Sequence, residues 1–324
     1  MPHIINNCIN IKELRLLDKL PQTLLFGNGI NYGIGKSWEE LLIKLKKGHL
    51  FDDDTLPNTM TYEQILLKRL PNTSNNIINE EYNIKSEVAE HMSNLEVPPI
   101  YKDLINLNFQ HYLTTNYDNI FIEAYEKMYL NNITVNHKST ETIYSIRRYK
   151  QLNNCKLWNI HGEINQPRSI MLGMDQYIGS VSKIDDYIKG KYKFSNTNIK
   201  DKIENKIQFN KYDNISWIEL FFNSDIHILG FGLDYSEIDL WWILNKRSRL
   251  MNKLDITNKI FFYVKALSSN NTIEVPNNVK EYNEKVELLK SFNVIVKPLE
   301  CDYNELYQKA ISEIKKYNNS IEKL

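Results

Sequence analysis

A chain of 324 residues, 42% of them hydrophobic and 25% charged, is long enough to bury a sizeable core. Lys and Arg (40) balance Asp and Glu (40), so no basic excess points to direct nucleic-acid binding. The cysteines Cys8, Cys155 and Cys301 are dispersed and form no Cys-x-x-Cys pair, which argues against a zinc ribbon or a disulfide framework.

Reduced thiols fit a cytoplasmic location. The amino-terminal stretch lacks a signal-peptide pattern, and no apolar run approaches the ~20 residues of a membrane span. In chain order, a first buried strand is predicted at 23–26, ending in Gly27-Asn28-Gly29. Ser37 and Glu40 read as a capping box for a helix from about Trp38, with Leu41, Leu42 and Leu45 at helical spacing. Residues 52–98 are rich in Asp, Asn and Pro and read as a mostly helical insertion, with helices near 62–70 and 80–95.

A helix near 100–107 leads to a second strand at 111–114. Asp118 then opens a helix carrying Ile120, Phe121, Ala124, Tyr125 and Met128 on one face. A third strand, 156–160, ends at His161-Gly162. The polar, Tyr-rich stretch 165–215 reads as a second small helical lobe or a mobile cover. A fourth strand, 225–229, ends at Gly230-Phe231-Gly232. Ser236 is expected to cap the helix that carries Trp241-Trp242. Strands at 260–264 and 294–298 bracket a helix near 279–291, and a helix at 304–317 closes the chain.

Strands alternating with helices predict an α/β fold. It is a Rossmann-like parallel sheet flanked by helices, forming one domain over 1–324 with the helical insertion and second lobe attached. In such sheets ligands sit beyond the carboxyl ends of the strands. Four strands here end in polar or glycine-bearing turns at that same end: GNG, TTNYD, HG and GFG.

Gly27-Asn28-Gly29 would let a pyrophosphate approach bare amides, though Asn-Gly is also an ordinary turn pair. Gly33-Ile34-Gly35-Lys36-Ser37 imitates the end of a P-loop. The motif needs a glycine five residues before Gly35, where Ile30 stands. In TTNYD, Asn116 is suited to meet ribose hydroxyls or a water while Asp118 holds the loop, although either side chain would equally serve as a helix cap. His161 stands at a strand end beside a small residue, and a neutral imidazole there can accept a proton near pH 7. Gly230-Phe231-Gly232-Leu233 with Glu237 repeats the pattern. Trp241-Trp242 reads as core or interface packing.

Together the four motifs resemble the sirtuin superfamily, in particular its prokaryotic NAD-hydrolase branch found in antiphage defence. FGNGIN at 26–31 is similar to the sirtuin Gly-Ala-Gly-x-Ser loop, with Asn28 for the Ala and Asn31 for the Ser. TTNYD is similar to Thr-Gln-Asn-Ile-Asp, so Asn116 and Asp118 fall on its Asn and Asp, and Thr115 replaces its Gln. His161-Gly162 falls on the catalytic His-Gly, and GFGL at 230–233 takes the place of Gly-Thr-Ser-Leu.

The resemblance implies NAD as substrate and Asn116 and His161 as catalytic residues, with Asp118 in support. Gly27, Asn28, Gly29, Asn31, Thr115, Gly230, Gly232 and Glu237 would bind the dinucleotide. No metal is expected. Defence enzymes of this branch deplete NAD on infection, which implies activation by a partner, such as a HerA-like ATPase, or by homo-oligomerisation. The missing four-cysteine ribbon weighs against a protein deacylase or ADP-ribosyltransferase. Two further alternatives are a regulatory subunit that binds NAD or ADP-ribose without catalysis and a helical interaction module.

Overall fold

The computed structural model describes residues 20–32, 38–51, 56–70, 76–130, 136–138, 141–266 and 277–321. The P-loop-like segment and Ser37 of the expected capping box lie outside these residues, as does Cys8. Among the described residues no helix is long and apolar enough to cross a membrane.

Ten strands are present among the described residues: β1 (Gln22–Phe26), β2 (His111–Thr114), β3 (Asn136–Lys138), β4 (Tyr149–Gln151), β5 (Lys156–Asn159), β6 (Lys193–Phe194), β7 (Thr197–Asn198), β8 (Asp225–Leu229), β9 (Ile260–Lys265) and β10 (Val294–Leu299). The α-helices are α1 (Trp38–Leu45), α2 (Asn58–Arg69), α3 (Ile77–His91), α4 (Ile100–Ile105), α5 (Ile120–Met128), α6 (Met174–Ile188), α7 (Ile203–Phe209), α8 (Trp217–Asn223), α9 (Ile238–Met251), α10 (Asn277–Ser291) and α11 (Tyr303–Ile321).

The main sheet has eight strands in the order β10-β9-β8-β1-β2-β5-β4-β3. All neighbours from β10 to β5 are parallel, and β4 and β3 extend the sheet antiparallel. Counted along the chain, the six parallel strands lie as 6-5-4-1-2-3, the doubly wound Rossmann arrangement. Strand order reverses between β1 and β8, and a crevice opens there because the connections leave in opposite directions.

Side chains alternate across each strand, so each apolar strand feeds two cores. Leu25, Leu113, Trp158, Ile226 and Ile228 belong to one core, together with residues of α6 to α9. Leu24, Phe26, Tyr112, Leu157 and Leu229 belong to the other, with residues of α4, α5 and α11. A third cluster joins Leu41, Leu45, Tyr62, Ile65, Ile84 and Val88 of α1 to α3 with Tyr117, Ile170 and Leu172. The stretch expected to be a helical insertion therefore packs against the loops after β2 and β5, at the end of the sheet where the crevice lies.

Several local expectations need correction. Strands β3 and β4 are short and polar and carry no apolar run to betray them. Residues 165–215 do contain helices, α6 and α7, with a small β6–β7 hairpin between them, and Tyr177, Tyr187 and Tyr192 are buried. Ser236 does not cap α9. Its hydroxyl donates to Asp234 Oδ1 at 2.7 Å, and Glu237 stands at the cap position. Trp241 is buried, with its indole N–H donated to the Asp234 carbonyl at 2.9 Å, which fits the packing alternative.

Candidate functional site

The turns after β1 and β8 touch at the point where strand order reverses. Gly27 N–H donates to the Leu229 carbonyl at 3.3 Å, and Gly29 N–H donates to the Gly230 carbonyl at 2.8 Å. A Cβ at Gly29 would lie 2.7 Å from that same carbonyl oxygen, so only glycine allows the approach. Both amides thus donate to the end of β8 and the turn after it, where the sequence suggested phosphate contacts for them. Asn31 is buried and tied on three sides. Its side-chain N–H donates to Asn28 Oδ1 (3.0 Å) and Asp118 Oδ2 (3.3 Å), and its carbonyl accepts from Tyr101 Oη (2.9 Å).

After β2 the chain turns sharply. The Asn116 backbone N–H donates to Thr114 Oγ1 at 3.0 Å, and its carbonyl accepts from Asn159 Nδ2 at 3.1 Å. Asn159 in turn accepts from Lys150 Nζ at 2.9 Å. The backbone of Asn116 is therefore held from two sides, while its side-chain Nδ2 is buried and makes no hydrogen bond of ordinary geometry, although the Tyr101 hydroxyl is close enough to feel it. Burying an amide donor unpaired is costly, so a group in this position invites a ligand or water. Asp118 accepts from the Ile120 N–H at 3.0 Å and so braces the start of α5. Burial pushes its carboxyl up to about 6, against hydrogen bonds from Ile120 and Asn31 that act the other way.

His161 follows β5 and is almost wholly buried. Gly162 beside it has φ +100°, and a Cβ there would lie 2.2 Å from the Ser169 carbonyl, so the turn that aims the imidazole requires glycine. The ring sits between two carboxylates from the start of α9. His161 Nε2 lies 3.2 Å from Asp239 Oδ2, and Nδ1 lies 3.3 Å from Glu237 Oε2. Tyr177 of α6 donates to Glu237 Oε2 at 3.2 Å, and Ser180 donates to Asp239 Oδ2 at 3.2 Å. Burial alone disfavours a charged ring. The fields of Asp239 and Glu237 outweigh it and hold the imidazole pKa above its ordinary value. Burial likewise pushes the Glu237 carboxyl up to about 7, against the opposing charge of His161.

These groups border a cavity of about 220 Å³. Its walls include Asn28, Gly29, Thr115, Asn116, Asp118, His161, Gly230, Gly232 and Glu237. Of the residues singled out in the sequence, Gly27 and Asn31 lie behind this wall. Tyr177 and Asp239 escaped the sequence reading. Asp239 does carry a faint signal, an acid two residues beyond Glu237 at a helix start, where the helix dipole favours negative charge. The donor atoms of His161, Glu237 and Asp239 lie within 4.8 Å of one another, a spacing compatible with a metal ion, yet the Nδ1–Oε2 and Nε2–Oδ2 contacts already join them in pairs.

A family model spans the stretch that supplies this chemistry. Residues 110–243 match the SIR2-like domain. The SIR2-like match takes in β2, β5 and β8 with Asn116, His161, Glu237 and Asp239, and ends inside α9. It supports a sirtuin-like relationship and is consistent with the use of NAD. No curated protein matches the chain.

Proposed function

We propose that this chain hydrolyses NAD at the bond between nicotinamide and ribose, releasing nicotinamide and ADP-ribose. One observation carries the reading. A buried Asn116 amide without a well-formed hydrogen bond and the carboxylate-flanked His161 border one cavity at the strand ends, beside the reversal of strand order.

The chemistry suits those groups. Nicotinamide is cationic in NAD and leaves neutral, so positive charge develops on the ribose as the C1′–N bond breaks. Carboxylates in a poorly hydrated cleft stabilise such charge more strongly than water does. The Asn116 amide can orient the attacking water or a ribose hydroxyl. His161 and its acidic partners can hold the proton released, and a positioned acid–base group of this kind contributes about 10²–10⁴-fold. A deacylase is less well supported, because three cysteines cannot build a four-cysteine ribbon. The motif resemblance further favours an NAD-depleting role in antiphage defence, triggered by a partner protein or by self-assembly.

Nicotinamide release from NAD by the purified chain, alone and with the product of its genomic neighbour, tests the reading. Asn116→Ala and His161→Ala are each expected to lose about 10²-fold or more. Full activity in both variants would overturn the assigned roles. Tight NAD binding without nicotinamide release, even with the neighbour present, would instead favour a regulatory subunit.

A further inference from the structure

We propose that Glu237, not the His161 ring, accepts the proton of the attacking water, an inference that rests on the NAD-hydrolase reading above. Both ring nitrogens of His161 face carboxylate oxygens, Asp239 Oδ2 at 3.2 Å and Glu237 Oε2 at 3.3 Å. Nε2 is hydrogen-bonded to Asp239, and Nδ1 faces the Tyr177 hydroxyl at 3.4 Å as well as Glu237. Because the single Tyr177 proton is donated to Glu237 Oε2, Nδ1 meets only acceptors, so the ring carries two N–H groups, and an imidazolium has no lone pair with which to take a proton. Asp239 is fully buried and does not border the cavity. Glu237 does border it, and the hydrogen bond from Tyr177 and the ion-pair contact with His161 both fall on Oε2. Its second oxygen, Oε1, is therefore the atom of the triad best placed to meet a water.

The surroundings tune this carboxylate for the task. Burial raises its pKa most, the His161 cation lowers it, Asp239 raises it, the Tyr177 hydroxyl lowers it and Asp234 raises it, for a value of about 7. Tyr117, across the cavity, is held neutral by burial and by the same acids. A base with a pKa near the working pH is the most effective.

In the step itself, the electron pair of the C1′–N bond leaves with nicotinamide and neutralises its ring. The water oxygen bonds to C1′, and the water proton passes to Glu237 Oε1 and later to solvent. His161 acts as a positioning residue that fixes the carboxylate and offsets its charge, and Asp239 holds the His161 ring.

The full chain is compared with Glu237→Gln and Glu237→Asp, reading nicotinamide release against pH and NAD affinity by calorimetry, with thermal melting to confirm folding. In the wild type, kcat is expected to rise with pH through about 7, as the carboxylate ionises. Glu237→Gln should lower kcat by about 10²–10³-fold, shift Kd for NAD little and abolish that acid limb. Glu237→Asp should recover part of the rate and keep a limb.

An active wild type whose Gln variant keeps both its rate and its pH limb overturns the proposal and leaves the hydrolase reading intact. Activity lost to a chelator and restored by a divalent cation also overturns it, because the triad would then be a ligand set. A wild type that releases no nicotinamide, alone or with its neighbour, overturns both.

Discussion

Gly29 donates its N–H to the Gly230 carbonyl at 2.8 Å, joining the turn after the first parallel strand to the turn after the fourth. A methyl group at Gly29 would strike that carbonyl oxygen and the Tyr307 hydroxyl, each at 2.7 Å, whereas one at Gly232 meets nothing within 4 Å. The tyrosine can swing away, but the carbonyl cannot. Gly29→Ala is therefore expected to lower Tm by several degrees and to weaken NAD binding. Gly232→Ala should stay within about 0.5 kcal/mol of wild type. Thermal melts and calorimetric titration of both variants check this contrast.

Gly162 offers a second contrast. At φ +100° its Cβ would lie 2.2 Å from the Ser169 carbonyl, while Gly48, at φ +81°, has nothing within 4 Å. Gly48→Ala should cost about 1 kcal/mol, the left-handed penalty alone. Gly162→Ala should cost at least about 2 kcal/mol and also depress nicotinamide release, because the same turn aims His161. Urea unfolding measures the first effect and the product assay the second.

Asn159 links Lys150 to the backbone of Asn116, with hydrogen bonds of 2.9 and 3.1 Å. Removing its side chain leaves the buried Asn116 carbonyl without that donor and frees the loop. Asn159→Ala is expected to lose about 1–3 kcal/mol of stability. It should also lower kcat for nicotinamide release about tenfold, since misplacing a catalytic group by an ångström is costly. Equal kcat values in chains that both remain folded would refute the link.

Asp118 predicts a pH dependence of stability. Burial raises its pKa from 3.8 to about 6 in the folded chain. The folded state thus binds the proton more tightly than the unfolded state, so this group favours folding most below about pH 4. That contribution falls as pH rises from about 4 to 6 and levels off above. In Asp118→Asn this component should vanish, so that its stability relative to wild type improves between pH 4 and pH 7. Denaturant titrations of both chains at a series of pH values give the comparison.

Much of the fold was legible in the sequence because the relevant signals are local. Apolar runs such as residues 225–229, followed by glycine or polar turns, mark buried parallel strands wherever they occur. All six parallel strands stand within two residues of their expected bounds. Strands β3 and β4 were not legible, since Asn136–Lys138 and Tyr149–Gln151 are three residues each and mostly polar, and pair only because β5 offers them an edge. Ser236 misled for a related reason. A hydroxyl before a helix is a good cap in isolation, but Asp234 competes for it here.

By itself, the sequence determined the alternation of strand and helix and the gathering of unusual residues at one end of the sheet. Hydrophobic period and turn chemistry are properties of neighbouring residues. Only the tertiary structure decided which of those residues face one another. Asn31 turned inward to brace Asp118 and Asn28, while Tyr177 and Asp239, from different helices, closed on His161. That outcome depends on the rotation of α6 and α9 about their own axes as they pack against the sheet. Packing of whole cores fixes such angles, and no short stretch of chain encodes them.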